Sequence, residues 1–173
     1  DGGKNYTEIG TLPENISNFA VAVFKDKIYL IGGSLAGNSA ARNKIYTSTT
    51  GINWAPVTFS QGSELIPIKN HGAFSDGDRL YVVGGESSSD VKNLYYTSDG
   101  STWLSVAYNN AFSPGTRAVA FNNKIYAFDN KVFSTTTNTW TWNEISNNPA
   151  GSFDKTVEVF DNKIWIFADK GSG

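Results

Sequence analysis

Short apolar runs broken by polar pairs recur along the chain. Val21-Ala22-Val23-Phe24 gives way to Lys25-Asp26-Lys27 and then to Ile28-Tyr29-Leu30-Ile31. The succession returns from Ala118 through Phe121 and Asn122-Asn123 to Ile125-Tyr126-Ala127-Phe128, and from Val157 through Phe160 and Asp161-Asn162 to Ile164-Trp165-Ile166-Phe167. A fourth copy runs from His71 through Phe74 and Asp76-Gly77 to Leu80-Tyr81-Val82-Val83. Runs this short, β-branched and aromatic, reversed each time by a polar turn, predict four β-hairpins. The phenylalanines stand at 24, 74, 121 and 160, so the repeat length is 50, 47 and 39 residues, enough for one four-stranded sheet each.

A second signal is locked to the first. Three hairpins are followed by an aromatic residue, a Ser/Thr-rich turn and a tryptophan: Tyr46 to Trp54, Tyr96 to Trp103 and Phe133 to Trp140. These predict the third and fourth strands of each sheet, with the indole filling the wedge between adjacent sheets, a packing role that needs no ligand.

Together the hairpin, Ile28-Tyr29-Leu30-Ile31-Gly32-Gly33 or Leu80-Tyr81-Val82-Val83-Gly84-Gly85, and the spaced tryptophan resemble the Kelch motif, whose blades also build the central domain of galactose oxidase. In the later repeats Asp129-Asn130 and Ala168-Asp169 replace the glycine pair. The resemblance implies an all-β fold: a β-propeller of about four Kelch-like blades, approximately 19–57, 69–107, 116–146 and 156–169, the last incomplete. Residues 5–9 read as the outer strand of a neighbouring or closing blade. The open edge left by the last hairpin would need a cover: the N-terminal strand, a second chain, or further blades of a larger propeller. The third is favoured, because Kelch proteins usually carry more than four blades.

Composition narrows the function classes. With Cys at 0 and one histidine, thiolate chemistry, disulfides and His/Cys clusters for zinc or copper are excluded, including the histidine- and Tyr-Cys-dependent copper site of galactose oxidase. A net charge of -2 without charge runs gives no footprint for nucleic acid. No apolar run approaches the ~20 residues of a transmembrane helix. A start at Asp1 and Met at 0 predict a processed or excised segment, compatible with removal of a signal peptide. Abundant Asn, Ser, Thr and Gly with 17% charged residues resemble secreted bacterial β-proteins, so the expected location is extracytoplasmic.

In a propeller the turns after strands one and three share one face, and the longer connections share the other. Those connections, 34–43, 58–70, 86–92, 108–116 and 147–155, are the expected binding face. Candidate contacts are Arg42, Glu64, Lys69, Glu86, Phe112, Arg117, Phe153 and Lys155, with Glu158 projecting toward the central channel. His71 aligns with Val21, Ala118 and Val157, an ordinary packing position of strand one. Ser98 through Trp103 resembles the Asp-box turn of sialidase propellers, but Arg42, Arg79 and Arg117 lie on different faces and do not supply that family's arginine triad.

No catalytic residue, metal site or cofactor is assigned. The expected function is a non-catalytic module that contacts a protein or glycan through its long-loop face, with self-association or further blades completing the ring. The alternative is a carbohydrate-active enzyme, epimerase- or glycosidase-like, in which two of Glu64, Glu86, Asp154 and Glu158 form a carboxylate pair.

Overall fold

The hairpins of blades 1, 3 and 4 form where the sequence places two residues able to adopt positive φ between apolar runs. Lys25 and Asp26, Asn122 and Asn123, and Asp161 and Asn162 all lie between +47° and +60°. Two consecutive left-handed residues make the tight turn whose twist suits flanking strands. The computed structural model describes residues 5–88, 91–108, 112–137, 139–148 and 155–168, and no helix occurs among them. None is therefore long and apolar enough to cross a membrane.

Among the described residues, sixteen strands build four blades. Blade 1 holds β1 (Ile16–Ser17), β2 (Ala20–Phe24), β3 (Lys27–Ile31), β4 (Ser34–Leu35), β5 (Ile45–Ser48) and β6 (Ala55–Pro56). Blade 2 holds β7 (Gly72–Ser75), β8 (Leu80–Val83), β9 (Asn93–Thr97) and β10 (Leu104–Ala107). Blade 3 holds β11 (Arg117–Phe121), β12 (Lys124–Phe128), β13 (Lys131–Thr135) and β14 (Asn143–Asn147), and blade 4 holds β15 (Lys155–Phe160) and β16 (Lys163–Ala168). Sheet orders are β2-β3-β5-β6, β7-β8-β9-β10, β11-β12-β13-β14 and β15-β16, all antiparallel, with β1 and β4 forming a small side ladder. The inner strands pack in sequence, β2 on β7, β7 on β11 and β11 on β15.

Strand alternation gives every blade two apolar faces, and consecutive blades bury them against each other. The trailing face of blade 1 (Phe24, Tyr29, Ile31) packs on the leading face of blade 2 (Leu80, Val82). Tyr81 and Val83 on the other side of blade 2 meet Ala118, Ile125 and Ala127 of blade 3. Val119, Tyr126 and Phe128 then meet Val157, Ile164 and Ile166 of blade 4. Each large apolar side chain fully buried in this way contributes about 1.5–3 kcal/mol.

Strand pairing corrects the repeat register of blade 2. Ala20 pairs with Ile31 and Gly72 with Val83, and both partners immediately precede a glycine pair. The equivalent of Gly72 is thus Ala20, and His71 corresponds to Phe19, one position outside the strand. The cause is a longer turn: Ser75 pairs with Leu80, leaving four residues between them, and Asp76 Oδ1 accepts from the backbone N–H of Asp78 at 3.0 Å and Arg79 at 2.8 Å. Phe74, stacked on Tyr81 at 5.0 Å, is therefore the counterpart of Ala22 and not of Phe24.

The third tryptophan also shifts. Trp54, Trp103 and Trp142 each stand directly before the outer strand of their blade, and Trp142 is buried in the blade 2–blade 3 core. Trp140 instead stacks on Tyr96 at 5.9 Å. Residues 5–9, expected to form an outer strand, carry no strand pairing, and Tyr6 and Ile9 are exposed.

The connection entering blade 1 is held by an ionic clip. The carboxylate of Glu14 accepts from Arg42, from the Tyr46 hydroxyl, and from Lys44 Nζ at 2.6 Å. Arg42 first, then Lys44 and Tyr46, hold the Glu14 pKa down at about 2. A depressed carboxylate stabilises the fold above its unfolded pKa, and that contribution is lost as pH falls from about 4.5 toward 2. Glu14→Gln should therefore flatten the pH dependence of the melting temperature in this window, measured by scanning fluorimetry; an unchanged acid limb would remove the clip from the account.

Candidate functional site

The chain turns in toward the axis immediately before inner strands β2, β7 and β11. Asn18, Asn70 and Gly115 all have positive φ, at 57°, 53° and 88°, and each lies two residues before β2, β7 or β11. This kink aims their peptide groups at one another. Asn70 N–H donates to the Asn18 carbonyl at 2.9 Å, and Gly115 N–H donates to the Asn70 carbonyl at 2.7 Å. The result is a backbone collar tying three blades together around one mouth of the channel.

Below the collar the four inner strands enclose an open cavity of about 560 Å³. Many of its lining residues are small and apolar, Ala20, Gly72 and Ala118 among them. Arg117 and His71 are the basic side chains of the lining, and Glu158 is the carboxylate, among the described residues. The Arg117 guanidinium donates to the carbonyls of His71 and Thr116, both at 3.3 Å. It is thereby held at the mouth by backbone oxygens and stays half-buried.

His71 is fully buried, and neither ring nitrogen has a hydrogen-bond partner among the described residues. Glycines make room for it: a Cβ on Gly32 would approach His71 Cε1 at 3.0 Å, and one on Gly85 would meet His71 Cβ at 2.7 Å. Burial, followed by the charge of Arg117, pushes its pKa down to about 3, so the imidazole is neutral. The unfolded chain takes up a proton below about 6.5 while the folded chain does not until about 3, so stability falls with pH through this window. The slope reaches about 1.4 kcal/mol per pH unit. His71→Phe, which installs the residue found at the equivalent position 19, should preserve stability at neutral pH and remove this limb. Denaturant titrations at pH 7.5 and 4.5 measure it; equal acid sensitivity of both proteins would contradict the assignment.

The remaining candidates scatter. Arg42 bridges to Ile68 and is committed to the Glu14 clip, away from the cavity. Glu64 lies at the outer rim, where Oε2 accepts from the Ser105 backbone N–H at 2.6 Å. Glu86 pairs with Lys69 at 3.5 Å and accepts from Asn70 Nδ2 at 2.6 Å, which braces the collar from outside. Lys69 also donates to the Ser39 carbonyl at 2.8 Å. Phe112 is not an exposed contact. It is buried, edge-on to Trp142 at 4.9 Å and to Phe133 at 5.3 Å, because its connection pads the blade 2–blade 3 core. Phe153 and Asp154 lie outside the described residues. Glu158 stands on the cavity wall, exposed, opposite Trp165 across the β15-β16 ladder.

Two of the named candidates, Arg117 and Glu158, are thus brought to one cavity. The collar residues Asn18 and Asn70 were missed, although an Asn or Gly two positions before β2, β7 and β11 was a readable signal once the register is right. Asp99 accepts from the backbone N–H groups of Ser101 and Thr102, both at 2.7 Å, which hold its carboxyl well below the usual range. It closes the turn into Trp103. Among the described residues no three His, Asp or Glu side chains converge as metal ligands.

Radially ordered antiparallel sheets around an axial cavity define a β-propeller. The model of the DUF6242 beta propeller domain matches residues 10–116 of the 173, and the chain belongs to that family. No curated protein matches the chain.

Proposed function

We propose that this propeller domain is a non-catalytic interaction module that receives a protein or glycan at the collar-side mouth of its axial cavity. The observation that carries the reading is the juxtaposition of an open, small-residue cavity with Arg117 and Glu158 on its wall. One fixed cation, one carboxylate and the small apolar side chains of the wall suit a polar ligand with an apolar face, such as a sugar ring or a peptide side chain. The wall offers a single described carboxylate, so the pairing that glycoside hydrolysis uses has no support there.

Kelch-type blades are part of the proposal, supported by the glycine pairs 32–33 and 84–85 and by the tryptophan before each outer strand. An extracytoplasmic location, as in secreted bacterial β-proteins, is supported by the low charged fraction of 17%.

A thermal-shift screen against mono- and oligosaccharides, with and without calcium, tests the reading, since a ligand of the folded state raises its apparent stability. The expected result is stabilisation by one saccharide class that is lost in Arg117→Ala and kept in Asp78→Ala, on the turn side. Stabilisation that survives Arg117→Ala and disappears in Asp78→Ala would place binding at the other mouth and overturn the proposal.

A further inference from the structure

Arg42, the connection-face cation engaged by Glu14, also lines a pocket apart from the axial cavity. This pocket, of about 430 Å³, lies open to solvent where the segment entering β5 meets the connection from blade 1 to blade 2, and its lining includes Asn43, Lys44, Val57, Phe59 and Pro67. It shares no lining residue with the axial cavity. Backbone bonds pin both walls: Ile68 N–H donates to the Arg42 carbonyl and Val57 N–H to that of Ile45, each at 2.9 Å. The pocket is therefore preformed.

Glu14 is not part of this lining, yet it fixes both cations, its carboxylate accepting from Arg42 Nη1 and, at 2.6 Å, from Lys44 Nζ. Side chains already held in place lose little further freedom on meeting a ligand. Two cations against one carboxylate leave a surplus of one positive charge, and the Arg42 and Lys44 side chains remain 22% and 42% exposed. The complement is an anion. Beside the charge, Val57 and Phe59 are only partly buried against the core and Pro67 is exposed, which leaves room for an apolar group. Asn43 is exposed, and its amide, without a hydrogen bond among the described residues, can both donate to and accept from a peptide group. We propose that this pocket receives an acidic segment of a partner protein, an aspartate or glutamate meeting Arg42 and Lys44 and the neighbouring apolar side chain meeting Val57, Phe59 and Pro67. A pocket this open suits one or two side chains of a peptide better than a small ligand, which a binding site mostly encloses.

Titration of the labelled chain with the acetylated, amidated peptide Phe-Asp-Phe-Asp, followed by amide chemical shifts, tests the proposal. Shifts are expected at Ala41–Lys44, Val57 and Phe59, with binding at least ~10-fold weaker for Phe-Asn-Phe-Asn and weakened for the acidic peptide in ~0.5 M salt. Asn43→Asp sets a like charge in the pocket without touching the Glu14 clip, and should weaken binding of the acidic peptide by at least ~10-fold at an unchanged melting temperature. If that variant perturbs the fold, Pro67→Glu replaces it with the same expected loss. Lys124→Gln, on the turn side, should leave the affinity unchanged. No shift of these amides up to ~5 mM peptide, equal affinity for the two peptides, an affinity untouched by both Asn43→Asp and Pro67→Glu, or tighter binding of galacturonate than of the acidic peptide would each overturn the proposal.

Discussion

Gly32→Ala is expected to lower the stability of the folded chain by about 3–5 kcal/mol, beyond the usual effect of one substitution. At φ +63° an alanine is already strained, and its Cβ would lie 2.3 Å from the Ile68 carbonyl oxygen and 3.2 Å from that of Arg42. Neither oxygen can yield cheaply. Ile68 O accepts from Gly33 N–H and Arg42 O from Ile68 N–H, both at 2.9 Å, and these bonds fasten the connection between blades 1 and 2. Gly37 is the internal control: φ is +77° and nothing lies within 4 Å of the added carbon. Gly37→Ala should cost only about 1 kcal/mol, the price of the left-handed backbone alone. Urea titration of both variants measures the difference; equal losses would show that the close approach at Gly32 is relieved by local adjustment.

Trp103→Ala should cost a similar amount, about 3–5 kcal/mol, by emptying the wedge between blades 1 and 2. The indole is fully buried among Phe24, Tyr29, Leu80, Val82 and Tyr95. Its ring N–H has no partner among the described residues, so the side chain acts there by volume and contact. Trp103→Phe, which keeps most of the apolar contact and removes the unpartnered donor, should cost only about 1–2 kcal/mol. Equal destabilisation by alanine and phenylalanine would indicate a polar role for the indole that packing does not explain.

The propeller was legible because its hairpins are local. Phe24, Phe121 and Phe160 each precede two turn residues that take positive φ, and strand alternation then dictates which side chains enter which interface. Periodicity failed where a turn lengthened. The longer turn at Asp76–Arg79 moved Phe74 out of step with the other phenylalanines, and with it the repeat position of His71, whose buried packing role stands. One extra residue in the turn before β14 likewise made Trp140 stand in for Trp142.

The site was legible only in part, because contacts that cross blades leave no mark on local pattern. Arg117 follows from its place at the start of an inner strand, and Glu158 from its place within one. The aromatic ring of Phe112, in a connection that reads as an exposed loop, is drawn into the core instead, where a Cβ on Gly84 would come within 3.5 Å of its own Cβ. Arg42 was visible as a connection-face cation, but the Glu14 carboxylate that engages it lies 28 residues away in sequence.

The claim that function resides at the collar-side mouth is tested most directly by amide chemical-shift mapping of the labelled chain, titrated with the same saccharide panel. The account predicts perturbations clustered at the collar and the first residues of the inner strands, around Asn18–Ala20, Asn70–Gly72 and Gly115–Arg117. Perturbations confined to the opposite turns, around Lys25–Asp26, Asp76–Arg79 and Asn122–Asn123, would contradict it.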